Sequence, residues 1–223
     1  VKDTNVLVVA PHCDDEVLGV GGTMARWAEE GARVTVAILT RGFPPLATEE
    51  DNAKELVEIA RAHELLGVHE TVHLGFPAAE LDQVPHRELN GALLHLYQRL
   101  KPEFVFLPWL GDVHLDHQLA FQSGMVMCRP NGGHVPRNVL AYETLSETNW
   151  YAPLVTPGFV PNTFVDISNH LERKLEAFAA YGSQVRQAPN ERSIETLRAL
   201  ATLRGSTVHR PAAEAFISVR ALI

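Results

Sequence analysis

Residues 6–16 read Val-Leu-Val-Val-Ala-Pro-His-Cys-Asp-Asp-Glu. The first five are β-branched or aliphatic without a break, the pattern of a strand buried on both faces of a parallel sheet. The remainder sets one imidazole and three carboxylates where that strand ends. In open α/β sheets ligands bind at the carboxyl ends of strands, so position alone makes this turn a candidate site. Imidazole and carboxylate are ordinary ligands for Zn2+. A nearby cation would also relieve the repulsion between Asp14 and Asp15. The plainer reading is a polar loop in which Asp14 or Asp15 caps the helix that follows.

Working outward, the chain alternates strand and helix. Gly21 and Gly22 are expected to open a helix over TMARWAEEG, closed by Gly31. Arg33 to Thr40 reads as a second strand. Glu49 to Leu66 is a helical pattern with apolar positions at Leu56, Ile59, Ala60, Leu65 and Leu66, stopped by Gly67. A short strand is expected over Thr71–Leu74. A helix follows over His86–Leu100, with Leu89, Leu93, Leu96 and Leu100 on one face and Pro102 ending it. Phe104–Leu107 is another buried strand, Asp116–Cys128 a helix and Val139–Tyr142 a strand. This order implies an α/β fold, a mostly parallel sheet with helices on both faces. Beyond Asn149, Pro153, Pro157 and Pro161 mark an irregular segment. A strand over Asn162–Ile167, helices over Ser168–Ala180 and Glu191–Leu203, and a late strand over Phe216–Val219 complete the reading. We expect one domain, with a core of about residues 1–150 and a C-terminal extension over about 151–223.

The second polar constellation is His114-Leu115-Asp116-His117, after the strand FVFL and the loop PWLGDV. Histidines at i and i+3 face one site if a helix starts there. Asp116 between them is placed to orient one imidazole. Both constellations end central-looking strands, so the fold would bring them to one rim. His12, Asp15 and His117 would then form a triad with an open fourth position, the pattern of catalytic rather than structural zinc. Asp14 and His114 are left as the acid–base pair that a hydrolytic metal site needs.

These residues resemble the LmbE/PIG-L superfamily of zinc-dependent N-acetylglucosaminide deacetylases. The likeness rests on the PHxDDE-type segment, Pro11 to Glu16, and on the HxDH segment, His114 to His117. Val6–Ala10, Gly19, Gly21-Gly22, Thr40-Arg41-Gly42 and Tyr181-Gly182-Ser183-Gln184 fit as well. The resemblance implies a Rossmann-like sheet and a zinc held by His12, Asp15 and His117, with Fe2+ or another divalent transition metal as the alternative. It implies Asp14 as general base for a zinc-activated water. His114, protonated, would stabilise the oxyanion, with Asp116 behind it. The chain departs from the family at Cys13, where proline is usual, and at Gly75-Phe76-Pro77-Ala78-Ala79, where many members carry an aspartate after Gly-x-Pro. Arg41, at the same rim, and Trp109, beside the HxDH loop, are candidate contacts for a sugar.

Composition bounds these readings. The net charge of −8 argues against a nucleic-acid partner, because phosphate backbones demand a basic surface. No stretch approaches the ~20 apolar residues of a membrane span, and no cationic leader precedes the first strand. Two cysteines, Cys13 and Cys128, fit reduced thiols in a cytoplasmic protein. The expected substrate is a small amino sugar or its conjugate, and the charge does not forbid a homo-oligomer. A phospho-acceptor module would leave His12 and the HxDH segment unexplained. A dinucleotide-binding oxidoreductase would need a GxGxxG directly after the strand, which Gly19 to Gly22 do not supply. A metal-dependent amidase acting on a non-sugar substrate is the alternative among hydrolases.

Overall fold

Five strands run parallel in the computed structural model, which describes residues 1–131, 133–150, 152 and 155–222. They are β1 (Asn5–Ala10), β2 (Arg33–Arg41), β3 (Glu70–Pro77), β4 (Phe104–Pro108) and β5 (Asn138–Tyr142). Two later strands, β6 (Thr163–Asp166) and β7 (Ala213–Ala221), extend the same sheet. β7 pairs antiparallel with both β5 and β6. The order across the sheet is β3-β2-β1-β4-β5-β7-β6. The 3-2-1-4-5 run is the doubly wound Rossmann-like arrangement.

Alternation along the strands sends side chains to two cores. Val6, Val8 and Ala10 face one side. There they meet α1 (Asp15–Glu29), α2 (Glu49–Leu66), α5 (Leu171–Ala180) and α6 (Ile194–Ser206). Leu7 and Val9 face the other side, covered by α3 (His86–Leu100) and α4 (Leu115–Met127). Val6 through Ala10 are therefore buried on both faces, as their composition predicts. No helix among the described residues is long and apolar enough to cross a membrane.

Three expectations need correction. Helix α1 starts at Asp15, well before Gly21, and Gly19, Gly21 and Gly22 lie inside it. Glycine usually weakens a helix, but here the helix packs too close for a side chain. A Cβ on Gly19 would sit 2.2 Å from Cδ2 of Tyr142, and one on Gly22 within 2.9 Å of three atoms of Ile167. Strand β3 runs on from the expected Leu74 to Pro77 and so reaches the rim of the site. Leu56, 51 % exposed, and Ala60 point away from the core; the expected Ile59 and Leu66 are buried, joined on that face of α2 by Ala62 and His63. Of the prolines that marked the irregular segment, Pro153 lies outside the described residues.

Candidate active site

β1 and β4 are neighbours in the sheet, and their connections leave in opposite directions, toward β2 and toward β5. The rim between them is the switch point at which such sheets bind ligands. Both polar constellations sit there. The first turn is pinned by Thr40, whose backbone N–H and hydroxyl donate to the Pro11 carbonyl at 3.1 and 2.8 Å. Asp14 stands at the N-terminus of α1 with φ +86, a conformation costly for a non-glycine residue. Its side chain makes no capping hydrogen bond, so capping does not explain it.

The two turns meet through ring nitrogens and carboxylates. His12 Nε2–H donates to Asp116 Oδ2 at 2.9 Å, and His117 Nδ1–H donates to Asp112 Oδ2 at 2.8 Å. Each carboxylate fixes one tautomer, as carboxylates behind metal-ligating histidines do. The opposite nitrogens, His12 Nδ1 and His117 Nε2, lie 3.4 and 3.2 Å from Asp15 Oδ2. Asp15 also accepts the His12 backbone N–H at 2.8 Å. His117 Nε2, Asp15 Oδ1 and both oxygens of Asp14 are buried with no hydrogen-bond partner among the described residues. Buried polar atoms are normally satisfied, so this cluster of orphans marks a place where a cation fits. His12, Asp15 and His117 offer one ligand atom each within 4.8 Å of one another, and His12, His114 and Asp116 form a second, overlapping group.

The electrostatics follow from burial and pairing. Burial disfavours charge on His12 and His117, but Asp116 and Asp15 raise the former to about 9, and Asp15 and Asp112 raise the latter to about 10. Burial opposes ionisation of Asp15 too, yet the two imidazoles outweigh it and hold its carboxyl well below the usual range. Asp14 goes the other way. Burial pushes it well above the usual range, and the Arg192 guanidinium offsets only part of that.

The second turn departs from expectation in one respect. Asp116 does not support the His114 ring; its carboxylate accepts from His12, from Ala79 N–H at 2.7 Å and from Leu81 N–H at 3.2 Å. Its backbone N–H instead donates to His114 Nδ1 at 3.1 Å, because His114 caps α4. The neutral ring therefore carries its proton on Nε2. Burial and the neighbouring His12 lower the His114 pKa, which favours a neutral donor over the protonated form expected from sequence. Ala79 holds φ +61, a left-handed turn just after β3 that aims its N–H at Asp116.

A family model described as PIG-L: GlcNAc-PI de-N-acetylase matches residues 7–128, which contain both turns. The chain belongs to the PIG-L family. Among curated relatives, the Escherichia coli (strain K12) protein described as uncharacterized deacetylase YaiS is 30 % identical over 69 % of this chain and 81 % of its own length. Diacetylchitobiose deacetylase of Thermococcus kodakarensis is also 30 % identical, over 80 % of this chain and 69 % of its own. The crystal structure of the conserved protein TT1542 from Thermus thermophilus superposes with a TM-score of 0.80 at 28 % identity, covering 99 % of this chain and 96 % of that one.

The PIG-L turns open into a cleft of about 650 Å³ lined by His12, Asp14 and His114. Arg41 lines it too, paired with Glu49 and stacked 4.7 Å from the Phe43 ring. Trp109 is not brought to the cleft. Its ring packs edge-on against Phe121 and Phe159. Cys13 donates its thiol to Glu55 Oε1 at 2.7 Å. Glu16, the last residue of the first motif, points away from the cluster. It accepts from Tyr181 OH at 2.6 Å and from His63 Nε2 at 3.2 Å, tying α1 to α2 and to the chain beyond α5. Neither Asp112 nor Arg192 belongs to the two sequence motifs. Asp112, upstream of the HxDH segment, could have been found by asking which carboxylate reaches the second nitrogen of His117. No spacing rule leads to Arg192.

Proposed function

We propose that this chain is a metal-dependent N-deacetylase that hydrolyses the acetamide of an N-acetylated amino sugar or its conjugate, releasing acetate and the free amine. The observation that carries the reading is the tautomer lock: Asp116 and Asp112 take one nitrogen each of His12 and His117, leaving the other two nitrogens and Asp15 as one ligand set. Family membership and relatives named as deacetylases support the same reaction. His12, Asp15 and His117 hold the ion, and their two nitrogens and one oxygen suit zinc. When bound, the divalent ion supplies Lewis acidity, acidifying a water and polarising the amide carbonyl.

Asp14 takes the proton of the attacking water. His114, neutral and with Nε2–H available, donates to the carbonyl oxygen as charge builds on it. Asp14 then returns the proton to the amide nitrogen, and the C–N bond breaks. Arg41 contacts the sugar or its substituent from the cleft wall. The whole of residues 1–223 serves as one deacetylase domain, and its two free thiols accord with a cytoplasmic setting.

The deciding experiment combines elemental analysis of the purified protein with a mass-spectrometric screen of N-acetylated sugar conjugates and N-acyl amino acids. Acetyl loss from sugars by the zinc-loaded but not the chelated protein is the expected result. Turnover of N-acyl amino acids alone would replace the sugar reading by a non-sugar amidase. Equal turnover after chelation would end the metal reading.

A further inference from the structure

The Asp14 carboxylate is buried, set on a left-handed backbone and followed directly by Asp15 and Glu16, and neither of its oxygens is hydrogen-bonded. A carboxylate so placed needs an opposite charge. Among the described residues, one Lys or Arg side chain stands in ion-pair range: the guanidinium of Arg192, whose Nη1 is 3.4 Å from Asp14 Oδ2.

We propose that Arg192 is the positioning residue for Asp14, an inference that rests on the reading of Asp14 as the base. The guanidinium is not a free surface group. Its Nε–H donates to Ser146 Oγ at 3.1 Å and its Nη1–H to Gln184 Oε1 at 2.9 Å, and the side chain is 22 % exposed. The connection between α5 and α6 that carries it is anchored in turn. Glu58 on α2 accepts from the Ser183 N–H at 3.0 Å and from its hydroxyl at 2.5 Å. Glu191 accepts from the Ser146 N–H at 3.1 Å. Arg192 is therefore aimed across the cleft from a segment outside the family match at residues 7–128. By holding Oδ2 it stops the carboxylate from swinging and leaves Oδ1 to receive the proton. A group that must serve first the water and then the departing nitrogen gains most from being fixed.

The test uses Arg192→Gln and Arg192→Lys in the full chain. Misplacing a catalytic group by an ångström costs about 10²-fold, so Arg192→Gln should lose about that much kcat. KM should move by less than about twofold and metal content should hold, because no ligand is touched. Arg192→Lys should retain more activity than Arg192→Gln. Independently of turnover, crystal structures of the parent protein and Arg192→Gln should differ at Asp14, rotated or split between rotamers in the variant, with His12, Asp15 and His117 unmoved. An unmoved Asp14 or an unchanged kcat overturns the proposal, as does a loss of kcat matched by loss of metal. If the parent protein hydrolyses no acyl amide, the deacetylase reading fails, and the crystallographic comparison alone decides whether Arg192 places Asp14.

Discussion

His117 and Asp112, five residues apart, share a 2.8 Å hydrogen bond between Nδ1 and Oδ2 with both side chains fully buried. The other oxygen of Asp112 takes the Thr148 hydroxyl at 2.5 Å. Removing such a carboxylate from behind a ligating histidine typically costs 10–100-fold in metal affinity, roughly the loss expected of Asp112→Ala. Asp112→Asn keeps an acceptor and should lose less. Competition against a chromophoric chelator measures both, and unchanged affinity in Asp112→Ala would detach this residue from the site.

Asp14→Asn should separate chemistry from binding. Loss of one proton-transfer group lowers turnover by about 10²–10⁴-fold. Metal content should stay at the parent level, since Asp14 is outside the proposed ligand set. Near-parental turnover would remove Asp14 from the base role.

Proton binding predicts a pH slope in the chelated protein. Burial disfavours charge on His12 and His117, but their carboxylate partners raise them to about 9 and about 10. Unfolded histidine titrates near 6.5. A folded value above the unfolded one gives stability that is complete below about pH 6.5 and is lost as pH rises through the folded values. The chelated protein should therefore melt at a lower temperature at pH 10 than at pH 6.5. Saturating zinc should flatten the slope, since the ligating nitrogens then carry no protons. A flat curve without metal would contradict the carboxylate pairing.

Gly19→Ala tests the packing of α1, the helix that follows the Pro11–Asp14 turn. The added methyl would lie 2.2 Å from the Tyr142 ring, which cannot easily yield because its hydroxyl donates to the Val9 carbonyl at 2.8 Å inside the core. Overpacking of this kind costs about 1–3 kcal/mol. Denaturant unfolding measures the loss, and a variant as stable as the parent would show that α1 and β5 are less tightly joined than the contacts imply.

The fold and the two turns were legible because each rests on local signals: an unbroken apolar run, then polar residues at its end. The start of α1 was not, because Gly21 and Gly22 look like punctuation until Ile167 is seen against the second of them. Leu56 and Ala60 lie off the buried face of α2, because helical spacing identifies a stripe without saying which neighbouring residues share the buried side. Asp116 was correctly placed near an imidazole but assigned to the wrong one; the partner was set by β1 lying beside β4. Trp109 drew attention by its position in the chain, yet Phe159 within the irregular segment packs against its ring. Arg192 meets Asp14 through tertiary contacts alone.

The grip of Ala79 on Asp116 is made by the main chain. Any residue able to follow the same path there keeps that bond, so the side chain at position 79 is free to drift with the shape of whatever occupies the cleft. An imino acid alone, having no N–H, would sever the link outright. This corner can therefore be remodelled for a new ligand while the histidine it supports stays where it is.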